Sequence, residues 1–193
     1  MWRRMNGGQQ VRIALVVVVL WIGGCGGVPQ AGGKGTNLSQ GGQMKITSPA
    51  FAEGEMIPKQ YTCDGKNVSP PLAWSDVPAD VKSFAMIMDD PDASAGTWVH
   101  WVLFNLPAGQ RSLSEGVPAV KTLPGGGVQG TSSFRKYGYG GPCPPGGTHR
   151  YFFKLYALDG LLSLSNNATA KDLETAIRGR IVAETQLMGR YKR

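Results

Sequence analysis

The amino-acid sequence predicts a single β-rich domain. Glycine and proline together make up 41 of the 193 residues, and they are spread between apolar runs and not concentrated in one tract. Several of those runs are dense in aromatic and β-branched residues and are bounded by turn residues, as strands are. The length is sufficient for one domain with a substantial core and does not demand two.

Three apolar segments are interpreted as strands. Residues 83–89 are apolar on both faces, which fits a fully buried strand or a short buried helix. The length of this segment and the Asp-Pro pair that follows it favour the strand. Residues 98–105 and 151–157 are rich in aromatic and β-branched side chains and are bounded by Gly, Pro or Asp, so they are also predicted to be strands.

Residues 169–178 carry the one convincing helical pattern. Thr169 is suited to cap the helix together with Asp172, Leu173 and Ile177 share a face, and Gly179 follows as a stop signal. Beyond the helix, residues 181–188 alternate with the period of a strand. The remaining stretch between residues 106 and 147 is a long Gly/Pro-rich loop, and loops of that length are usually functional.

The N-terminus has the order of a secretory signal. Arg3, Arg4 and Arg12 precede an uninterrupted apolar run over residues 13–22, which is about half of the ~20 residues that a spanning helix needs. The run ends in Ile22-Gly-Gly-Cys25, which resembles the lipobox of bacterial lipoproteins. We therefore expect residues 1–24 to be a cleaved lipoprotein signal peptide and Cys25 to be acylated, with a plain signal peptide as the alternative.

This interpretation predicts the location of the protein and its domain boundaries. Residues 25–43 are Gly-rich with almost nothing to bury, so they are predicted to form a flexible tether that leads to a domain over residues 44–193. The predicted location is the bacterial cell envelope, lipid-anchored and extracytoplasmic. Such a compartment permits a disulfide between Cys63 and Cys143, although two separate buried thiols are an equally good interpretation.

The charge of the chain argues against nucleic-acid binding. The formal net charge is +7, but without the three arginines of the predicted signal the balance is 17 basic to 13 acidic residues. These charges are scattered singly, which is typical of a soluble surface and not of a track for a polyanion.

The two histidines and an acidic turn are the first candidates for a site. His100 lies within the predicted strand 98–105, on the face of Trp98, Val102 and Phe104, and a core histidine is as good an interpretation as a ligand group. His149 stands just before the last apolar strand. Asp89, Asp90 and Asp92 surround Pro91, where carboxylates line a cleft or, more commonly, cap a turn.

The segment before His149 has an unusual composition. Residues 138–149 are dominated by glycine and proline and are longer and stiffer than a hairpin needs. Backbone N–H groups of such a loop can cradle an anion, whereas the alternative is a simple connection between strands.

Four motifs in one order and spacing give the sequence a specific resemblance. They are Tyr61-Thr-Cys-Asp-Gly-Lys-Asn-Val-Ser-Pro-Pro-Leu-Ala-Trp74, Asp89-Asp-Pro-Asp-Ala93, Trp98-Val-His100 and Gly141-Pro-Cys-Pro-Pro-Gly-Gly-Thr-His-Arg-Tyr151. Together they resemble the bacterial branch of the phosphatidylethanolamine-binding (Raf kinase inhibitor-like) family, over residues 44–193. At Ser94 the sequence departs from the family pattern, which often has a proline there, so the rim of the site is expected to differ.

The resemblance implies a fold and a set of site residues. The family fold is an antiparallel β-sandwich with a few short peripheral helices and one small surface pocket for an anion. Carried over by position, the pocket residues are Asp90, Asp92, Trp98, His100, Gly141, Pro142, His149 and Tyr151. Protonated His100 and His149 would donate to the anion, and Asp90 would raise the pKa of a neighbouring histidine, strengthening binding at mildly acidic pH.

The predicted function is that of a membrane-anchored binding protein for an anionic small molecule or lipid headgroup. Inhibition of a protease is the alternative, because family members include such inhibitors. A hydrolase that uses the Asp and His side chains is the third hypothesis, but the sequence lacks a Gly-x-Ser-x-Gly or His-Glu-x-x-His motif. No catalytic residue, cofactor or metal site is predicted.

Overall fold

The computed structural model of the protein describes residues 43–193. The predicted signal peptide, Cys25 and nearly all of the predicted tether lie outside the described residues. Eight strands are present, with these bounds: β1 Lys45–Thr47, β2 Leu72–Ser75, β3 Ser83–Asp90, β4 Trp98–Pro107, β5 Ser112–Leu113, β6 Val128–Gln129, β7 Thr148–Leu158 and β8 Ile181–Lys192. A 3₁₀ turn spans Lys59–Tyr61, and one α-helix, α1, spans Ala170–Ala176.

The strands form two antiparallel sheets that pack face to face. The smaller sheet has the order β1-β2-β5, and the larger has the order β6-β4-β3-β7-β8. Side chains from both sheets share one core, in which Trp74 of β2 meets Phe84 of β3 with ring centroids 5.5 Å apart. The predicted antiparallel β-sandwich is confirmed.

Strand β3 is buried at every position because each of its faces has its own cover. Phe84, Met86 and Met88 enter the core between the sheets. Ala85 and Ile87 enter a second core on the outer face of the larger sheet, which α1 covers. This arrangement confirms the strand that was predicted from apolar residues on both faces.

Helix α1 begins and ends as its sequence predicts, within a residue or two. Thr169 accepts from the backbone N–H of Asp172, and the Asp172 carboxylate accepts from the N–H of Thr169, which completes a capping box. Gly179 has a φ of +73°, a conformation that costs glycine little. Among residues 43–193 no helix is long and apolar enough to cross a membrane.

The predicted face of His100 is wrong, and a β-bulge is the reason. Met88 pairs with Trp101 and Asp89 pairs with Val99, so His100 is an extra residue in β4. Val102 and Phe104 lie in the core beneath α1, whereas the His100 ring contacts Tyr151, a member of the core between the sheets. The bulge therefore turns His100 away from the face that simple alternation assigned to it.

The long loop between β4 and β7 is largely irregular and is tied to the rest of the domain. It contains only the two short strands β5 and β6. A disulfide joins its Cys143 to Cys63, with the Cα atoms 5.4 Å apart. Of the two interpretations that the sequence allowed, the structure supports the disulfide.

Candidate functional site: a histidine-lined cavity at one end of the sandwich

A cavity of about 300 Å³ lies where β3 ends and β4 and β7 begin. We call it the first cavity. The turn between β3 and β4 forms part of its wall, and the loop between β6 and β7 forms another part. Its lining residues are Asp90, Ala93, Ser94, Ala95, Trp98, His100, Phe134, Cys143, Pro144, Pro145 and His149.

His149 and Asp90 form a buried pair on one side of the first cavity. The His149 Nδ1 atom is 2.8 Å from the Asp90 carboxylate, and the two residues are only 9% and 3% exposed. The other carboxylate oxygen of Asp90 accepts from the backbone N–H of Asp92, which holds the turn that follows β3. Because Nδ1 is engaged by Asp90, Nε2 is the ring nitrogen of His149 that is left for a ligand.

His100 is fixed in a similar way by a backbone carbonyl. Its Nδ1 atom is 2.7 Å from the carbonyl oxygen of Gly140, which only accepts, so Nδ1 carries the proton. Burial lowers the pKa of His100, although the Gly140 carbonyl and the charge of Asp90 oppose this effect. This lowered pKa favours uncharged His100 at neutral pH, with Nε2 as an acceptor; donation from a protonated ring to an anion stays a prediction.

Tyr151 lies behind the histidines and does not line the first cavity. Its ring meets the His100 ring edge-to-face with centroids 5.2 Å apart. Within the described chain, its buried hydroxyl has no hydrogen-bond partner. Burial raises the pKa of Tyr151, and the charge of Asp90 raises it further, so the hydroxyl is protonated at all relevant pH values.

Asp92 is placed outside the first cavity by an ion pair. Both of its carboxylate oxygens accept from the Arg150 guanidinium, at 2.7 and 2.9 Å, and it also accepts from the Arg150 backbone N–H. The hydrogen bond from Arg150 lowers the pKa of Asp92 to about 2. Its predicted contact with a ligand is thus replaced by a contact that ties the β3–β4 turn to β7.

The glycine loop contributes side chains to the wall of the first cavity, and several of its N–H groups are engaged within the protein. The N–H of Gly141 donates to Asn67, and the N–H of Gly140 donates to the His100 carbonyl. Gly141 packs so closely that a Cβ there would lie 2.5 Å from the Tyr61 carbonyl oxygen. Pro142 accepts from the N–H of Cys63, so neither Gly141 nor Pro142 lines the cavity.

Asp89 takes no part in the first cavity. Its carboxylate accepts from Lys154 on the outer face of the larger sheet, where its other oxygen has no partner among the described residues. No group of three or more His, Cys, Asp or Glu side chains within residues 43–193 is arranged to hold a metal ion. Cys143 is joined in a disulfide and is not a free nucleophile.

Four of the eight predicted site residues line the first cavity: Asp90, Trp98, His100 and His149. The wall also contains residues that the sequence did not single out as ligand contacts. Of these, Cys143, Pro144 and Pro145 belong to the motif over residues 141–151, so the motif could have indicated that they lie in the cavity wall. Phe134 stands in no motif, and nothing in the local sequence marks it.

Comparison with known protein families identifies the family of the chain. The sequence model of the phosphatidylethanolamine-binding protein family matches residues 47–192. The chain belongs to this family. The predicted resemblance is confirmed, and it covers nearly all of the described residues.

Relatives and solved structures support the same assignment. The chain is 49% identical to a UPF0098 protein of Methanothermobacter thermautotrophicus over 150 residues, which is 78% of this chain and 99% of the relative. It resembles the crystal structure of a putative phosphatidylethanolamine-binding protein homologue, CT736 of Chlamydia trachomatis, with a TM-score of 0.73 and 41% identity over 78% of this chain and 98% of that one.

A second solved structure, E. coli YbcL, described as a new member of the mammalian family, also has a TM-score of 0.73, with 32% identity over 78% of this chain and 99% of that one. Family membership makes this chain a binding protein of the phosphatidylethanolamine-binding family.

Proposed function

We propose that the first cavity binds a small ligand that carries a phosphate or another anionic group, such as a lipid headgroup. One observation carries the proposal. Two histidine rings line one small cavity, each with Nδ1 engaged by the protein, so that the Nε2 atoms of both rings are left for the same ligand. Convergent polar groups in a mostly apolar cavity are typical of a ligand site.

The charges around the site predict that binding takes up a proton. Asp90 is hydrogen-bonded to His149, and burial lowers the pKa of His100. An anion beside His100 favours its protonated form, as the charges of Asp90 and Asp89 already do. The neighbouring Tyr151 stays neutral. Affinity for inorganic phosphate is therefore expected to rise as the pH falls from 8 to 5.5, and an unchanged affinity would contradict this mechanism.

Substitutions that remove the role of Nε2 and keep that of Nδ1 test the site. The amide of asparagine takes the place of Nδ1 and can still donate to Gly140 or Asp90, whereas Nε2 is lost. Inorganic phosphate is expected to raise the midpoint of thermal unfolding of the wild-type chain by binding only the folded state, with about 2.7 kcal/mol of stabilisation at 100 times Kd. His100→Asn and His149→Asn are expected to lose most of this shift.

His100→Gln is the matched control, because its amide lies near the position of Nε2. It is expected to retain more of the phosphate-induced shift than His100→Asn. Equal phosphate-induced shifts of the unfolding midpoint in the wild-type chain and in both asparagine variants would show that the histidines do not bind the phosphate. Phosphoethanolamine in place of phosphate distinguishes a headgroup from free phosphate, since only the former carries an ammonium group for Asp90.

We also propose that acylated Cys25 anchors the protein to the bacterial membrane on its extracytoplasmic side. The basic, apolar and small-residue order before Cys25 supports export, and a disulfide within the domain is suited to an oxidising compartment. The expected result is that the chain sediments with membranes and that Cys25→Ala releases it to the soluble fraction. A mature N-terminus elsewhere than Cys25 would contradict the anchor.

A further inference from the structure

A second cavity of about 250 Å³ adjoins the first. The two cavities share only Phe134 and Cys143 among their lining residues. The other residues of the second cavity are Cys63, Asn67, Ala119, Ser132, Lys136, Tyr137, Gly138, Tyr139, Gly140 and Gly141. Ligand pockets typically measure ~300–1,000 Å³, so each cavity alone is at or below the lower limit, whereas the two together lie within the range.

The wall between the cavities has a fixed part and a part that can turn. Cys143 is held covalently by the disulfide to Cys63. Phe134 is held only by packing: its ring meets those of Trp98 and His100 at centroid distances of 5.5 and 5.4 Å and is 38% exposed. The ring also rests on Gly140, where a Cβ would lie 2.5 Å from Phe134 Cε2.

The backbone on either side of Phe134 is well anchored. Ser133 and Val99 exchange two hydrogen bonds, from Ser133 N–H to the Val99 carbonyl and from Val99 N–H to the Ser133 hydroxyl. Ser132 donates to the Lys136 carbonyl through both its N–H and its hydroxyl. A change of Phe134 rotamer would therefore leave these backbone hydrogen bonds intact, and partly exposed side chains change rotamer rapidly.

The second cavity is suited to an apolar group because aromatic rings make up much of its wall and two of its polar side chains are already engaged within the protein. The Tyr139 hydroxyl donates to the Tyr61 carbonyl, and the Asn67 side-chain oxygen accepts from the Gly141 N–H. The aromatic side chains of Phe134, Tyr137 and Tyr139 remain as its main surface. An aryl or short aliphatic group gains free energy by burial against such a surface.

We propose that Phe134 is a movable partition and that the ligand is an amphipathic anion: its anionic group occupies the first cavity and its apolar part occupies the second. This inference rests on the proposed function and adds to it the class of ligand. Phenyl phosphate is the probe, and inorganic phosphate is the reference that reports on the first cavity alone.

Calorimetric titration of the full chain tests the second cavity. Phenyl phosphate is expected to bind about tenfold more tightly than phosphate, because the phenyl ring is buried against aromatic side chains. Ala119→Trp fills the second cavity and should abolish this gain while leaving phosphate affinity unchanged. Val120→Trp, which adds the same side chain at an exposed neighbouring position that lines neither cavity, should retain the gain.

Phe134→Ala tests the partition itself. Removing the ring leaves the cavities joined, so the preference for phenyl phosphate over phosphate should be kept, because Tyr137 and Tyr139 still provide an aromatic surface. Equal affinities for the two probes in the wild-type chain, or a preference that survives Ala119→Trp, would refute the proposal that the apolar part of the ligand occupies the second cavity. If the preference for phenyl phosphate is lost in Phe134→Ala, the ring stacks on the ligand, and the proposal that it is a movable partition is refuted. If phosphate itself fails to bind, the proposed function fails and this inference fails with it.

Discussion

Removal of the Cys63–Cys143 disulfide is expected to destabilise the domain mainly through the unfolded chain. The bridge closes a loop with a sequence separation of 80 residues, for which the chain-entropy relation gives about 4.5 kcal/mol at 25 °C. Cys143 is exposed and Cys63 is half-buried, so replacing both with serine loses little apolar burial. The hydrogen bonds from Cys63 N–H to Pro142 and from Gly141 N–H to Asn67 remain, and they hold the two segments together in the folded state.

Chemical denaturation followed by tryptophan fluorescence measures this loss. The Cys63→Ser/Cys143→Ser double variant should lose about 3–4.5 kcal/mol relative to the oxidised wild type, in the upper part of the usual range for disulfides. Reduced wild-type chain is the control and should be destabilised to a similar extent. A loss below about 1 kcal/mol, with the wild-type bridge verified by mass spectrometry, would refute the reasoning that the bridge restricts a long unfolded loop.

Three further predictions concern particular side chains. Because the pKa of His100 in the folded protein lies below the unfolded value of 6.5, the unfolded chain takes up its proton first. Stability should therefore fall as the pH drops below about 6.5, and less steeply in His100→Asn, when unfolding is measured across that range. Gly189→Ala should lower the free energy of unfolding by about 1–3 kcal/mol, because its Cβ would lie 2.5 Å from Ile57 Cγ1. The control Gly146→Ala has open space around its Cβ, so in the same denaturation assay it should change the free energy of unfolding by no more than about 0.5 kcal/mol. Thr169→Ala removes the capping box of α1 and should lower the free energy of unfolding by about 1 kcal/mol. An unchanged free energy of unfolding would mean that packing alone holds the first turn of the helix.

The structure changes how the two histidines are understood chemically. The sequence suggested two charged donors, whereas burial favours neutral His100 and an acidic partner engages His149. The anion site that we propose would therefore depend on protons that are taken up with the ligand, and on the apolar contacts that the wall provides.

Local patterns were sufficient to predict most of the secondary structure. The strand β3 was evident from apolar residues on both faces, and α1 from a capping residue, an apolar face and a following glycine. These features depend on neighbours within a few positions, so the chain encodes them directly. The family motifs likewise located the end of the sandwich that contains the site.

The contacts within the site were decided by tertiary structure alone. The bulge that turns His100 toward Tyr151 arises from the pairing of β4 with β3, and local alternation predicts the opposite face. His149 meets Asp90 across 59 residues of sequence, and the resemblance named Asp90 as the partner of a histidine without showing which histidine.

By itself, the sequence determined the family, the main strands and the helix, and it predicted the end of the fold at which a ligand binds. Only the tertiary structure decided that Asp92 pairs with Arg150, that Cys63 joins Cys143 and that Phe134 stands between two cavities. The physical reason is the range of the interactions: periodicity and capping act between near neighbours, whereas these contacts form only after the sheets bring distant segments together.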